Sequence, residues 1–140
     1  MQDHRTFPAQ IENLEGMIAW VREQIQNSLF KEADQRKIEL AMEEALVNII
    51  VHGYPQHSRK AMLEIIIQWR HDQKIEFKII DKGLPFNPLL QLVKFNVYAN
   101  IEEREEGGLG IYFMRLCMDE VHYERQHPFN VLTLVKEMPG

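Results

Sequence analysis

The stretch "EEALVNIIVHGYP", residues 43–55, sets three polar side chains, Glu44, Asn48 and His52, into a strongly apolar helical pattern, each four residues from the next. At about 100° per residue, that spacing places them in one row along a helix. Ala45, Ile38, Ile49 and Met42 share one neighbouring face, and Leu40, Val47 and Val51 share another. Glu44 and Asn48 are therefore predicted to lie between two apolar surfaces, while Glu39 and Glu43 point to a more mixed, solvent-like side. A carboxylate in that position is partly desolvated, which raises its pKa and makes it a better base. An amide oxygen one turn further on is a neutral ligand for a hard cation such as Mg²⁺. The pairing suits phosphate chemistry. Imidazole, amide and one carboxylate form a weak transition-metal set and lack the H-E-x-x-H arrangement. His52 is instead read as capping the helix, where a protonated ring meets the negative pole of the dipole.

Outward from this helix, the chain reads as an alternation of elements. Residues 3–8 form a short strand ended by Pro8. Ile11, Leu14, Ile18, Val21, Ile25 and Leu29 recur at helical spacing, predicting a first helix from Ile11 to Phe30. The helix that opened this section begins at about residue 34 and runs to His52, with Gly53 and Pro55 as stop signals. "AMLEIIIQWRH" and "KIEFKIID" are β-branched and aromatic runs that read as a hairpin, with Asp81 at the end of its second strand. The connection "PLLQLVKFNVYANIEEREEGG" is long for a compact domain and reads as a functional lid, with a helical turn near residues 88–95. "LGIYFMRLCMDEV" is a third helix starting beside a glycine pair, and "VHYERQ" and "NVLTLVKEM" close the chain as a second hairpin.

The totals set bounds on the function. A chain of 140 residues with 45% hydrophobic content is expected to be a single domain spanning residues 1–140. Sixteen basic against 21 acidic residues give a net charge of −5, so nucleic acid is a poor partner and any phosphate site must be built locally. The polar start "MQDHRTFPAQ" and apolar runs such as "LEIIIQW" fall far short of the roughly 18 to 20 apolar residues that span a bilayer, so no membrane association is expected. The single cysteine, Cys117, forms no internal disulfide, fits a cytoplasmic location and reads as a small buried hydrophobe on a helix.

Two glycine motifs complete the pattern. "IIDKGLPFNP" puts Asp81 just after an apolar strand and Gly83 two residues on, where the backbone turns sharply or lets a ligand come close. "EEGGLGIYFM" puts Gly107, Gly108 and Gly110 at a helix start, where free N–H groups and the positive dipole end favour phosphate. This is not the dinucleotide G-x-G-x-x-G, because Phe113 occupies its third position, and no P-loop exists. The order E-x-x-x-N, D-x-G, G-x-G resembles the N, G1 and G2 boxes of the GHKL (Bergerat-fold) ATPase and kinase superfamily. "EEALVNIIVHGYP", "DKGLPFNP" and "EGGLGIYFM" look most like its anti-sigma serine/threonine kinases.

That resemblance covers nearly the whole chain and implies an α/β (α+β) two-layer sandwich, a mixed, mostly antiparallel sheet packed against helices. It implies an ATP-dependent protein serine/threonine kinase using Mg²⁺. Glu44 would be the general base, Asn48 the Mg²⁺ ligand and Asp81 the acceptor of a hydrogen bond from the adenine amine. Gly83 would allow close approach of the base, and Gly108 and Gly110 would meet the phosphates. The implied partners are a sigma factor and a small anti-anti-sigma (STAS-type) protein that is the phosphorylation substrate, with homodimerisation common in the family. An ATP-binding partner-switch module with weak or no kinase activity is the alternative. A histidine kinase catalytic domain is disfavoured, because the predicted first helix has no His and there is no room for a dimerisation segment. The chain departs from the pattern at Asn87, where relatives often carry Asp, and at Glu105 and Glu106 after Arg104, where a basic residue is common. Acidic groups there repel a triphosphate unless they point away or pair with Arg104, and "EEREE" reads as a solvated loop tip.

A hydrogen bond from a neutral amine to a carboxylate is worth roughly 1.5 to 3 kcal/mol, about 10- to 150-fold in affinity. Asp81→Asn is expected to weaken ATP binding within that range. Calorimetry that finds unchanged affinity would remove Asp81 from the base-reading role.

Overall fold

Strict alternation of apolar residues builds the centre of the sheet. Leu63, Ile65 and Ile67 of one strand and Ile75, Phe77 and Ile79 of the next are almost wholly buried, while the residues between them are half-exposed. The computed structural model describes residues 2–52, 61–70, 73–85, 87 and 108–138. Its elements are β1 (Gln2–Pro8), a 3₁₀ turn (Ile11–Asn13), α1 (Leu14–Ile25), α2 (Glu32–His52), β2 (Met62–Arg70), β3 (Lys74–Asp81), α3 (Gly108–Cys117), β4 (Glu120–Gln126) and β5 (Phe129–Glu137). The five strands form one sheet in the order β1-β2-β3-β5-β4, and every neighbouring pair is antiparallel. The two-layer α/β sandwich expected from the sequence is therefore present, with a sheet that is antiparallel throughout its described strands. The expected lid, with its helical turn near residues 88–95, lies outside the described residues.

One face of the sheet is covered by the helices. Met17, Val21 and Ile25 of α1, Ile38, Met42, Ala45 and Leu46 of α2, and Met114 of α3 join the strand residues in a single core. Phe7 meets Trp20 edge-on at 6.1 Å between ring centroids, and Phe30 packs on Trp69 at 5.9 Å. Arg22 of α1 reaches Glu39 of α2 through both Nε and Nη2 at 2.7 Å, tying the two helices together outside that core. Glu39 is thus half-buried and paired rather than simply solvated.

Two helix ends depart from the sequence reading. α1 stops at Ile25 rather than Phe30: Ser28 N–H turns back to the Ile25 carbonyl and the Phe30 N–H reaches Ser28 Oγ. This turn sends Phe30, not Leu29, into the core, and Leu29 is 80% exposed although its spacing continues the helical stripe. α3 stops at Cys117 rather than Val121, because the Lys136 ammonium donates to the Cys117 carbonyl at 2.7 Å and Asp119 N–H already joins the sheet through the Val135 carbonyl. Cys117 is buried, and that burial pushes its thiol pKa up, against the opposing pull of Lys136 and Lys37. No helix among the described residues is long and apolar enough to cross a membrane.

Phe77, fully buried at the sheet centre, and Leu29, exposed beyond the end of α1, make a contrasting pair. Phe77→Ala is expected to cost about 3 to 5 kcal/mol, and Leu29→Ala to stay within about 0.5 kcal/mol, in urea unfolding. A large loss at Leu29 would restore the longer helix.

Candidate functional site

The period that builds the core carries a polar row to one end of the sheet. On β3 the buried series Ile75, Phe77, Ile79 continues to Asp81, and on β5 the buried series Leu134, Leu132 continues to Asn130. The register sets Leu63 opposite Asp81, Asp81 opposite Asn130, and Asn130 opposite Arg125 of β4. Asp81 and Asn130 are only 3% and 5% exposed, so both must find partners within the protein.

They find them in each other and in the turn after β3. Asp81 Oδ1 accepts the Gly83 N–H at 2.8 Å and the Asn130 Nδ2–H at 3.1 Å. The Asn130 amide also donates to the Leu84 carbonyl at 3.0 Å and the Gly83 carbonyl at 3.4 Å. Arg125 Nη1 donates to the Gly83 carbonyl at 2.9 Å and to Asn130 Oδ1 at 3.2 Å, and the Tyr123 hydroxyl donates to the same Oδ1. Among the described residues, none donates to Asp81 Oδ2. The D-x-G turn is thus a buried carboxylate held by one oxygen. Asn130, Arg125 and Tyr123 were absent from the sequence reading. The signal was a polar residue at a core position of β5 and two polar side chains two apart on β4. The register that joins them to Asp81 is not written in any local motif.

The α2 pair is built differently. Asn48 is 2% exposed and its Nδ2 donates to the Glu44 carbonyl at 2.8 Å, a bond within one helical turn. Among the described residues none donates to its Oδ1, a neutral oxygen of the kind that fits a hard cation. Glu44 is half-buried, and its pKa is raised, first by desolvation and second by the neighbouring charge of Glu43. The flanking surfaces differ from expectation. Leu40 and Val51 are exposed and Val47 is half-buried, while Ala41 and Leu46 widen the buried stripe of Ile38, Met42, Ala45 and Ile49, one on each side. Glu44 therefore borders the core on one side and a partly open surface on the other. His52 ends α2 and is exposed.

Gly108 and Gly110 lie in the first turn of α3, which packs against α2. That packing brings the phosphate-type helix start and the Glu44–Asn48 helix into one layer. No hydrogen bond or ion pair among the described residues links Glu44 or Asn48 to Asp81. Among the described residues, no three His, Cys, Asp or Glu side chains are grouped to hold a metal.

Comparison with known proteins bears on the family and the fold. Residues 7–136 match the family model described as a histidine kinase-like ATPase domain. The chain is 32% identical over 91 residues to serine-protein kinase RsbW of Staphylococcus aureus, a match covering 63% of this chain and 57% of that protein. It therefore spans little more than half the length of that relative. Among solved structures, the RsbU and RsbW domains of Rv1364c from Mycobacterium tuberculosis superpose with a TM-score of 0.70 at 17% identity, covering 99% of this chain and 32% of that one. A chain of the SiaB–SiaC complex from Pseudomonas aeruginosa gives 0.60 at 14% identity, covering 96% and 88%. At those identities the structural likeness speaks for the fold.

A carboxylate whose pKa is raised in the folded state binds its proton more tightly there, so it lowers stability as pH rises above its ordinary value of 4.5. Glu44→Gln should therefore melt at a higher temperature than the parent at pH 7, with the difference closing as pH falls to about 4. An equal or lower melting temperature at pH 7 would contradict the burial of the charge.

Proposed function

From the premise that the chain belongs to the histidine kinase-like ATPase domain family, we propose that it is an ATP-dependent protein serine/threonine kinase acting as a cytoplasmic anti-sigma factor. In this reading one domain, residues 1–140, holds a sigma factor or an anti-anti-sigma (STAS-type) protein, and phosphorylates the latter on Ser or Thr. The similarity to serine-protein kinase RsbW supports the acceptor class, and the GHKL fold supports ATP as the donor.

The observation that carries the proposal is Glu44, a half-buried carboxylate with a raised pKa, one helical turn from a buried amide. Phosphoryl transfer asks the protein for positioning, neutralisation of charge and one group to deprotonate the nucleophile. The acceptor hydroxyl oxygen forms a bond to the γ-phosphorus as the bond to the β–γ bridging oxygen breaks, leaving ADP. The hydroxyl proton passes to the Glu44 carboxylate. Asn48 would hold Mg²⁺ through Oδ1; the ion, when bound, neutralises charge on the phosphate oxygens. Asp81 receives the adenine amine, and the backbone N–H groups at Gly108 and Gly110 receive phosphate oxygens at the α3 start. Homodimerisation belongs to the same reading.

The test is transfer of labelled γ-phosphate from Mg·ATP to anti-anti-sigma proteins of the same genome. Label on a single serine or threonine is expected, falling about 10²- to 10⁴-fold with Glu44→Ala while ATP still binds. Tight ATP binding without transfer would replace the kinase by an ATP-binding partner-switch module.

A further inference from the structure

We propose that Asn130, clamped by Tyr123 and Arg125, is the positioning residue that makes Asp81 select a purine bearing an amine at its 6-position. The inference rests on the reading that Asp81 meets the purine, and it assigns the selectivity to the tip of the β4–β5 hairpin.

The orientation of the Asn130 amide is fixed by chemistry. Its Oδ1 receives the Tyr123 hydroxyl and, at 3.2 Å, Arg125 Nη1, both donors. Its Nδ2 faces Asp81 Oδ1 at 3.1 Å, the Leu84 carbonyl at 3.0 Å and the Gly83 carbonyl at 3.4 Å, all acceptors. Turning the amide over would set oxygen against three acceptors and NH₂ against the Arg125 guanidinium, which cannot accept, so a single orientation is tolerated. The Gly83 N–H bonds the same carboxylate oxygen at 2.8 Å, and Arg125 ties the Gly83 carbonyl at 2.9 Å, so the turn and the carboxylate are held from both sides.

This arrangement has a consequence for recognition. Asp81 Oδ1 already takes two N–H donors, and Oδ2 is the oxygen to which no described residue donates. What the buried end of the sheet offers a base is a fixed acceptor. An exocyclic amine matches it. A carbonyl at the same position meets lone pair against lone pair, and a bare C–H leaves the acceptor unpaired, each at a cost in affinity. Removing Asn130 frees the carboxylate to rotate about its side-chain bond, so the acceptor no longer stands in one place. The effect falls on recognition of the amine rather than on the sugar and phosphates.

The experiment is calorimetric titration of the full chain with ATP and with purine riboside triphosphate, which has hydrogen in place of the amine. The parent is expected to prefer ATP by about 10-fold or more. Asn130→Ala should narrow that preference about 5-fold or more, chiefly by weakening ATP, and Tyr123→Phe should narrow it by a smaller factor. Tyr123→Phe keeps the ring and decides the matter if Asn130→Ala does not fold. Loss of both nucleotides in equal proportion, or a preference unchanged in the variants, would overturn the positioning role while leaving the ATP reading intact. A parent that binds both nucleotides equally, or neither, would overturn the reading of Asp81 together with the proposal.

Discussion

A carboxylate sealed at the end of an apolar strand must be met by hydrogen-bond donors, because a buried charge without them costs several kcal/mol. Asp81, 3% exposed, is under that constraint, and the way it is met governs this end of the sheet. One donor is local, the Gly83 N–H, and the other comes from Asn130, 49 residues away in sequence. The side-chain period of a strand is two, so a one-residue slip of β5 against β3 would carry Asn130 to the outer face and leave Asp81 with its local donor alone. The apolar rows Ile79 with Leu132 and Phe77 with Leu134 demand the same register. Core packing and polar satisfaction thus point to one pairing, the consistency expected of a sequence that specifies a single fold.

β5 does more than complete the Asp81 row. Asn130 lies near its first residue and Lys136 near its last, and Lys136 closes the C-terminal end of α3 through the Cys117 carbonyl, with Asp34 of α2 at 4.0 Å. One strand therefore holds the Asp81 end of the sheet and the helix whose opposite terminus carries Gly108 and Gly110. The Glu44–Asn48 pair, by contrast, needs only the helical backbone between them and the core behind them. The Asp81 turn is a product of long-range pairing, the Glu44–Asn48 pair of local helix geometry.

That division also decides what could be read from the sequence. Glu44 and Asn48 were visible because four residues is a fixed distance on a helix, and Asp81 with Gly83 because strand end and turn are contiguous. The β2–β3 hairpin followed from its β-branched and aromatic runs, and the sandwich class from the resemblance that the three motifs carry. Leu29 misled because apolar spacing continues after the backbone has turned, and Val121 because α3 is ended by a lysine from another strand rather than by a signal of its own. Leu40 and Val51 read as a buried face, but periodicity specifies which residues share a side and not which side the sheet covers. Asn130, Arg125 and Tyr123 were illegible for the same kind of reason: each is ordinary where it stands, and only the β3–β5 pairing makes them neighbours of Asp81.

The two carboxylates show how environment divides labour between chemically equal groups. Asp81 sits deeper than Glu44, yet one of its oxygens is met by two N–H donors from within the protein. Glu44 is less buried, but desolvation and the like charge of Glu43 favour its protonated form, a setting suited to a group that must take up a proton and release it. Depth of burial alone does not rank them. The count and direction of donors does, and that count is set by which strand lies next to which.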